Sequence, residues 1–294
     1  MTAPRQVLPG TTYLVTHRCA HRQFLLKPSR TTNEVFLYVL ALAARRYGVK
    51  VHAYCVLSNH YHLIVTDPGA RLPAFQQLLG ALVARALNAS WGRWEGFWAR
   101  CSFSAVSLAT PSDILDKAAY VLANPVAARL VRSARQWPGL WSSPEVIGGA
   151  ELKVHRPKHF FDPDGQLEDS LGLELSTPPG FKSEGEFREL LVTALTKRES
   201  EAAQAASGFL GVSRVLAQRP TDQPKSREPR RSVSPRIAAR DRWKRIEAIN
   251  RLQAFVVAYR RALAAWRKGK AEALFPAGTY LMRIAYGAAC AVCS

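Results

Sequence analysis

Apolar positions recur at helical spacing in three stretches of the first 135 residues, and short β-branched runs lie between them. Residues 12–18 (TYLVTHR) are rich in β-branched and aromatic side chains and predict a strand. Residues 31–47 predict a helix with Val35, Leu37, Val39, Leu40 and Leu42 inward. Thr32 or Asn33 would cap it and Gly48 would end it. Residues 50–57 (KVHAYCVL) and 60–66 predict a hairpin turning at Ser58-Asn59. Residues 72–91 predict a second helix with Phe75, Leu78, Leu79, Leu82, Val83 and Ala86 inward. Residues 102–108 alternate as a strand. Pro111-Ser112-Asp113 then opens a third helix, capped by the Ser or Asp and running to about Val131. The order β-α-β-β-α-β-α predicts an α+β, ferredoxin-like split βαβ sheet with one added helix near its face.

The rest of the chain reads differently. Residues 142–165 are rich in Pro, Gly, Ser and His and show no periodicity. Residues 219–236 combine four prolines with six Arg or Lys, the pattern of an exposed basic linker. Between them, a helix over about 186–206, a break at Gly208 and a short segment are compatible with a helix-turn-helix. Residues 237–268 predict a long basic amphipathic helix. Its apolar side is Ile246, Ile249, Leu252, Phe255, Val256 and Tyr259, with Arg242, Lys244, Arg245, Arg260, Arg261, Arg267 and Lys268 on the remainder. A helix that contacts a polyanion and one that packs on the N-terminal unit would share this pattern. The expected divisions are 1–141, a connector 142–218, the linker 219–236 and a mainly helical region 237–294.

Composition adds a partner class. A hydrophobic content of 48% supports a folded core, and the net charge of +19 favours a polyanion. Residues 1–150 carry 16 basic and 6 acidic side chains, residues 151–220 carry 9 and 11, and residues 221–294 carry 16 and 5. Two basic blocks flanking a neutral middle are expected of surfaces that touch phosphates, or of a GC-rich codon usage that favours Arg and Ala. The longest apolar candidate, residues 35–44, is too short to span a bilayer, and the N-terminus has no signal-peptide core. A cytoplasmic protein with no membrane contact is expected. Five cysteines and no export signal argue against a disulfide framework. The Cys290–Cys293 pair has no second pair to complete a zinc site, so a zinc-dependent transcription factor is disfavoured.

His60-Tyr61-His62 lies on the predicted third strand, so both imidazoles emerge on one face while Tyr61 enters the other layer. Two such imidazoles can ligate a divalent metal and leave open positions, or simply share hydrogen bonds. Tyr120 and Asn124 are four apart on the third helix and share a face near Pro125. A phenolate there can attack phosphorus and an amide oxygen can ligate a hard cation; a core tyrosine with a helix-ending Asn-Pro has the same pattern. Trp91, Trp94, Phe97 and Trp98 flank Arg93 and Arg100. They can stack bases or plug a gap between helix and strand. Arg45, Arg46 and Lys50 are phosphate contacts or a polar helix end.

Taken together these residues resemble the single-tyrosine HUH (His-hydrophobic-His) transposases, in particular the REP-associated tyrosine transposase branch. The resemblance covers roughly residues 10–135. It rests on Thr16-His17-Arg18, Phe24-Leu25-Leu26, the run Ser58-Asn59-His60-Tyr61-His62-Leu63-Ile64-Val65, Trp94-Glu95-Gly96-Phe97-Trp98 and Tyr120-Val121-Leu122-Ala123-Asn124-Pro125-Val126. It implies a nuclease that cleaves single-stranded DNA at hairpin-marked ends with Mg2+ or Mn2+, through a 5′-phosphotyrosine. His60 and His62 would be metal ligands and Tyr120 the nucleophile. Asn124 would stand where relatives often carry a Gln ligand. Arg18, Arg45, Arg46, Lys50, Arg93, Trp94, Arg100, Arg230 and Arg231 are the expected DNA contacts. A phenol of pKa about 10 needs activation, for which His17 and Arg18 are candidates. The string Phe275-Pro276-Ala277-Gly278-Thr279-Tyr280 looks like a recurring tail of long members. The expected assembly is a monomer or homodimer. The alternative is a hairpin-binding regulator that does not cut, which would need none of His60, His62 and Tyr120.

Overall fold

The structure is a computed structural model that describes residues 4–99, 103–158, 160–225, 235–270 and 272–292. Arg100, Arg230, Arg231, Cys101 and Cys293 lie outside the described residues. In chain order the elements are β1 (Thr11–Arg18), α1 (Arg30–Tyr47), β2 (Lys50–Leu57), β3 (His60–Asp67), α2 (Leu72–Ser90), β4 (Ser104–Leu108), α3 (Pro111–Ala127), β5 (Leu152–His155), β6 (Ser170–Leu173), α4 (Glu184–Gln204), α5 (Val212–Leu216), β7 (Ile237–Ala238), α6 (Arg242–Arg267) and α7 (Leu281–Tyr286).

The main sheet runs β2-β3-β1-β4-β7. Its first four strands pair antiparallel with their neighbours, the topology of a split βαβ unit. Opposed residues of such pairs share a face. Thr16, His62 and Cys55 are one such row, and His17, Tyr61 and Val56 are the next, on the other face. Helices α1 and α2 cover the second face. There the buried Tyr61 ring meets Phe36 at 5.1 Å between centroids, and its hydroxyl donates to Gln76 Oε1 at 2.7 Å. Helix α3 covers the first face, and α4 packs on α3 through Phe187, Leu191 and Leu195.

Several ends differ from expectation for local reasons. Helix α1 is capped by Ser29, whose Oγ accepts from Thr32 N, rather than by Thr32 or Asn33. Helix α2 begins under the buried Asp67 carboxylate, which accepts from Arg71 N and Leu72 N. Helix α3 is capped by Thr110, not Ser112 or Asp113, and stops at Ala127 rather than near Val131. Arg129 takes a left-handed conformation (φ 56°), and the Leu130 N–H turns back to Pro125 O. Residues 237–238 form β7, parallel to β4, so the long helix α6 starts at Arg242 under an Asp241 cap.

The connector wraps the N-terminal unit. Segment 140–142 pairs with edge strand β2 through Val56 N→Leu140 O and Ser142 N→Tyr54 O; Ser176 N→Val51 O continues the cover. An exposed edge is thereby closed. Strands β5 and β6, absent from the sequence reading, form a two-stranded sheet against α1. A second, small core joins the end of α6 to the tail through Ala262, Phe275, Met282 and Ala288. The first half of α6 is largely exposed, Ile246 and Ile249 included. No helix among the described residues is long and apolar enough to cross a membrane.

Candidate active site

The first face of β3 carries His60 and His62, with ring centroids 4.8 Å apart and planes at 88°. Two backbone positions on one strand suffice to bring the rings together. His60 Nδ1 lies 2.6 Å from Asn59 Oδ1, while Asn59 Nδ2 donates to Arg22 O at 3.3 Å. With the amide so oriented, Oδ1 accepts, His60 Nδ1 carries the proton, and Nε2 keeps its lone pair. His62 Nδ1 lies 2.7 Å from Thr16 Oγ1, its cross-strand partner. His62 Nε2 is buried and has no hydrogen-bond partner. Burial, then the neighbouring His60 and Arg18, push the His62 pKa well below its ordinary value, so the ring is neutral.

Helix α3 brings Tyr120 onto these rings. The Tyr120 and His62 centroids are 5.6 Å apart with planes at 71°. Tyr120 is 37% exposed, so its side chain is partly open to solvent beside the buried His62. Asn124, one turn on, is buried on the same stripe. Asp116, one turn back, binds Lys117 Nζ at 3.1 Å and Arg198 Nη2 at 2.6 Å, with Arg240 Nη1 at 3.7 Å. Burial raises the Asp116 carboxyl pKa, but the hydrogen bonds and charges of Lys117 and Arg198 outweigh it and hold the group below the usual carboxylate range. Lys117 Nζ also stands 5.8 Å from the Tyr120 ring centroid.

Two imidazole nitrogens with an unpartnered buried Nε2 and an amide one helix away fit a divalent cation that keeps open positions. Among the described residues there is no group of three His, Cys, Asp or Glu side chains that could hold a metal alone. The side chains on offer to such a cation are His60 and His62, with Asn124 buried one turn beyond Tyr120 on the neighbouring helix.

The remaining candidates scatter. Arg18 ends β1 opposite His60, at the site. His17 does not reach Tyr120. It lies on the other face, stacked on Trp98 at 4.3 Å between centroids, and burial lowers its pKa to about 4. Arg45, Arg46 and Lys50 sit at the far end of the sheet. Lys50 opposes Thr66 where Leu57 opposes His60, and at about 3.3 Å per residue that is roughly 23 Å away. Arg45 pairs there with Glu168. Arg93 is held by Glu95 and Gln23 in the loop after α2. The aromatic cluster divides: Phe97 is buried and Trp98 donates to Gly80 O, whereas Trp94 is 89% exposed.

Spacing alone does not single out Thr16, Asp116, Lys117, Arg198 or Arg240 as site residues. Lys117 was readable as a residue three before Tyr120. Thr16 was readable as the strand neighbour that faces with the histidines. Arg198 and Arg240 come from distant segments and left no local signal.

No protein-family model matches this chain, and no curated protein matches it. Among solved structures it is similar to a REP-associated tyrosine transposase bound to a REP hairpin. Identity there is 19% over 47% of this chain and 81% of that one, with a TM-score of 0.40. It is also similar to a putative transposase from Deinococcus radiodurans R1, at 19% identity over 36% of this chain and 85% of that one, with a TM-score of 0.29.

Proposed function

We propose that this chain is a single-tyrosine DNA endonuclease and strand transferase, a transposase-type enzyme acting on single-stranded DNA at hairpin-marked ends. The observation that carries the proposal is the placement of the partly exposed Tyr120 side chain against the His62 ring, whose Nε2 is buried without a partner. A core tyrosine would be buried; a buried, unpartnered ring nitrogen also occurs at the packed His17, so the reading is supported by the His62 nitrogen together with the adjoining His60 and Tyr120 rings.

His60 and His62, with Asn124, would hold Mg2+ or Mn2+. When bound, the ion would neutralise charge on a non-bridging oxygen of the scissile phosphate. Tyr120 Oη attacks that phosphorus in line. The Oη–P bond forms, the P–O3′ bond breaks, the phenol proton leaves to solvent and the 3′ oxygen takes one up. The product is a 5′-phosphotyrosine and a free 3′-hydroxyl. The phosphodiester energy is retained, so another 3′-hydroxyl can reverse the step. Thr16 fixes the His62 ring and Asn59 fixes the His60 ring, so neither needs to reorient during the reaction. Arg18, opposite His60 on the neighbouring strand, supplies positive charge beside the attacked phosphate.

The test is incubation of the full chain with a labelled single-stranded hairpin oligonucleotide from its own genomic flanks, with and without Mg2+ or Mn2+. A covalent adduct is expected with metal, and none from Tyr120→Phe, which should still bind DNA. An adduct formed by Tyr120→Phe overturns the assignment. Binding without any adduct from the unmodified chain favours the non-cutting regulator.

A further inference from the structure

Asp116 gathers three cations from three parts of the chain: Lys117 on α3, Arg198 on α4 and Arg240 just after β7. Two carboxylates stand among the three cations, Asp116 at their side chains and Asp113 at the Arg240 backbone, so one positive charge is in excess around Asp116, which lies one helical turn, about 5.4 Å, before Tyr120 on α3. Holding α4 to α3 needs one ion pair, which Arg198 already makes. Arg240 adds little to that packing: its side chain is 72% exposed and its contact with Asp116 is the longest of the three. Its stem is nevertheless anchored, because Arg240 N donates to Asp113 Oδ1 at 2.7 Å and residues 236–238 pair along β4. The guanidinium is thus delivered to this place by backbone bonds, with most of its donors facing solvent. Guanidinium forks and an ammonium gathered at one place, with the Arg240 fork the most exposed of them, match the oxygens of a phosphodiester. One helical turn is also comparable to the step between neighbouring phosphates of an extended single strand.

We propose that Lys117, Arg198 and Arg240 form a phosphate clamp for the backbone of the single-stranded substrate next to the position attacked by Tyr120. The assignment of that neighbouring position rests on the reading of Tyr120 as nucleophile; the phosphate contact itself does not. The clamp makes α4 and the segment after β7 part of the DNA site, and gives the short parallel strand β7 a purpose, which is to carry Arg240 to the edge of α3.

The experiment uses the full chain carrying Tyr120→Phe, which cannot cleave, and a fluorescein-labelled 20-nucleotide oligo-dT, read by anisotropy across a salt series. Each lost phosphate contact lowers the slope of log K against log salt by about 0.7 on single strands. Arg240→Ala is expected to lower it by about 0.7 and Arg198→Ala with Arg240→Ala by about 1.4. Arg198→Lys keeps the charge and the α3–α4 pair and should restore most of the slope, which separates contact loss from misfolding. Lys197→Ala removes the same charge one residue away, from a side chain paired with Glu201, and should leave the slope in place. An unchanged slope in the double variant, or a loss from Lys197→Ala as large as that from Arg240→Ala, overturns the clamp. A lowered slope with no adduct from the unmodified chain would instead retain the clamp and reject the nuclease.

Discussion

The Tyr120 ring stands edge-on to the His62 imidazole at 5.6 Å between centroids, although the two residues lie on different elements and nearly 60 positions apart. The contact requires α3 to lie across the first face of the sheet, which Trp141 reinforces by donating its indole N–H to Leu122 O at 2.9 Å. His62→Ala is therefore expected to cut adduct formation about a thousandfold, equivalent to roughly 4 kcal/mol of transition-state stabilisation. Oligo-dT affinity should stay close to that of the unmodified chain. Single-turnover adduct assays and anisotropy on the same preparation check this. A loss of affinity as large as the loss of rate would mean that the ring is a DNA contact only.

Thr16 holds His62 by the ring nitrogen opposite the buried, unpartnered one. Thr16→Val keeps the shape and removes the hydroxyl, so metal affinity should fall by about 10- to 100-fold with the fold intact. Calorimetric titration with Mn2+ measures it directly. Nitrogen donors are softer than Mg2+ prefers, so the unmodified chain should bind Mn2+ more tightly than Mg2+. Equal Mn2+ affinity in Thr16→Val and the parent would remove Thr16 from the site.

The parts of this arrangement that were legible in sequence are those governed by local period. His60 and His62 two apart on a strand, and Tyr120 and Asn124 four apart on a helix, fix their own faces whatever the rest of the chain does. Face alone could not decide the role of His17, because the alternation that sends Thr16 towards His62 sends His17 to Trp98. The end of α3 was illegible because its left-handed residue is Arg129, where glycine or asparagine is the usual signal. Strand β7 has two residues and no alternation to read. The pairing of Arg198 and Arg240 with Asp116 is set by tertiary packing across more than 80 positions, which no periodicity records.

Trp94 and Trp98 differ in exposure within one short loop, Trp94 open to solvent and Trp98 packed against the core. Trp94→Ala removes an exposed indole and should weaken oligo-dT binding by about 1–3 kcal/mol with an unchanged thermal midpoint. Trp98→Ala removes the stack on His17 and the bond to Gly80 O, and should destabilise the fold by about 3–5 kcal/mol. Melting curves and anisotropy on both variants check the division. A Trp94→Ala chain that binds oligo-dT as tightly as its parent would exclude base stacking there.

His52 links strand β2, strand β3 and the connector, and it makes stability depend on pH. It sits where the β2–β3 register shifts between Val51 and Ala53, fully buried, with Nδ1 2.7 Å from Ser176 O and Nε2 2.7 Å from Thr66 Oγ1. A carbonyl only accepts, so Nδ1 carries the proton and Nε2 accepts from Thr66, whose oxygen in turn lies 2.7 Å from Thr12 Oγ1. Burial lowers the His52 pKa to about 4, with Lys50 adding to it and the Ser176 bond opposing it. The folded value lies below the unfolded value of about 6.5, so the unfolded chain binds more protons between the two. The stabilisation is complete above pH 6.5 and is lost as pH falls from there through about 4, by roughly 3 kcal/mol in all. His17, lowered to the same range by burial, adds to the slope. His52→Gln should lower stability at pH 7 and flatten the dependence between pH 6.5 and 5 by about one proton, seen as converging urea midpoints. Parallel curves for parent and variant would show that His52 does not titrate as its burial requires.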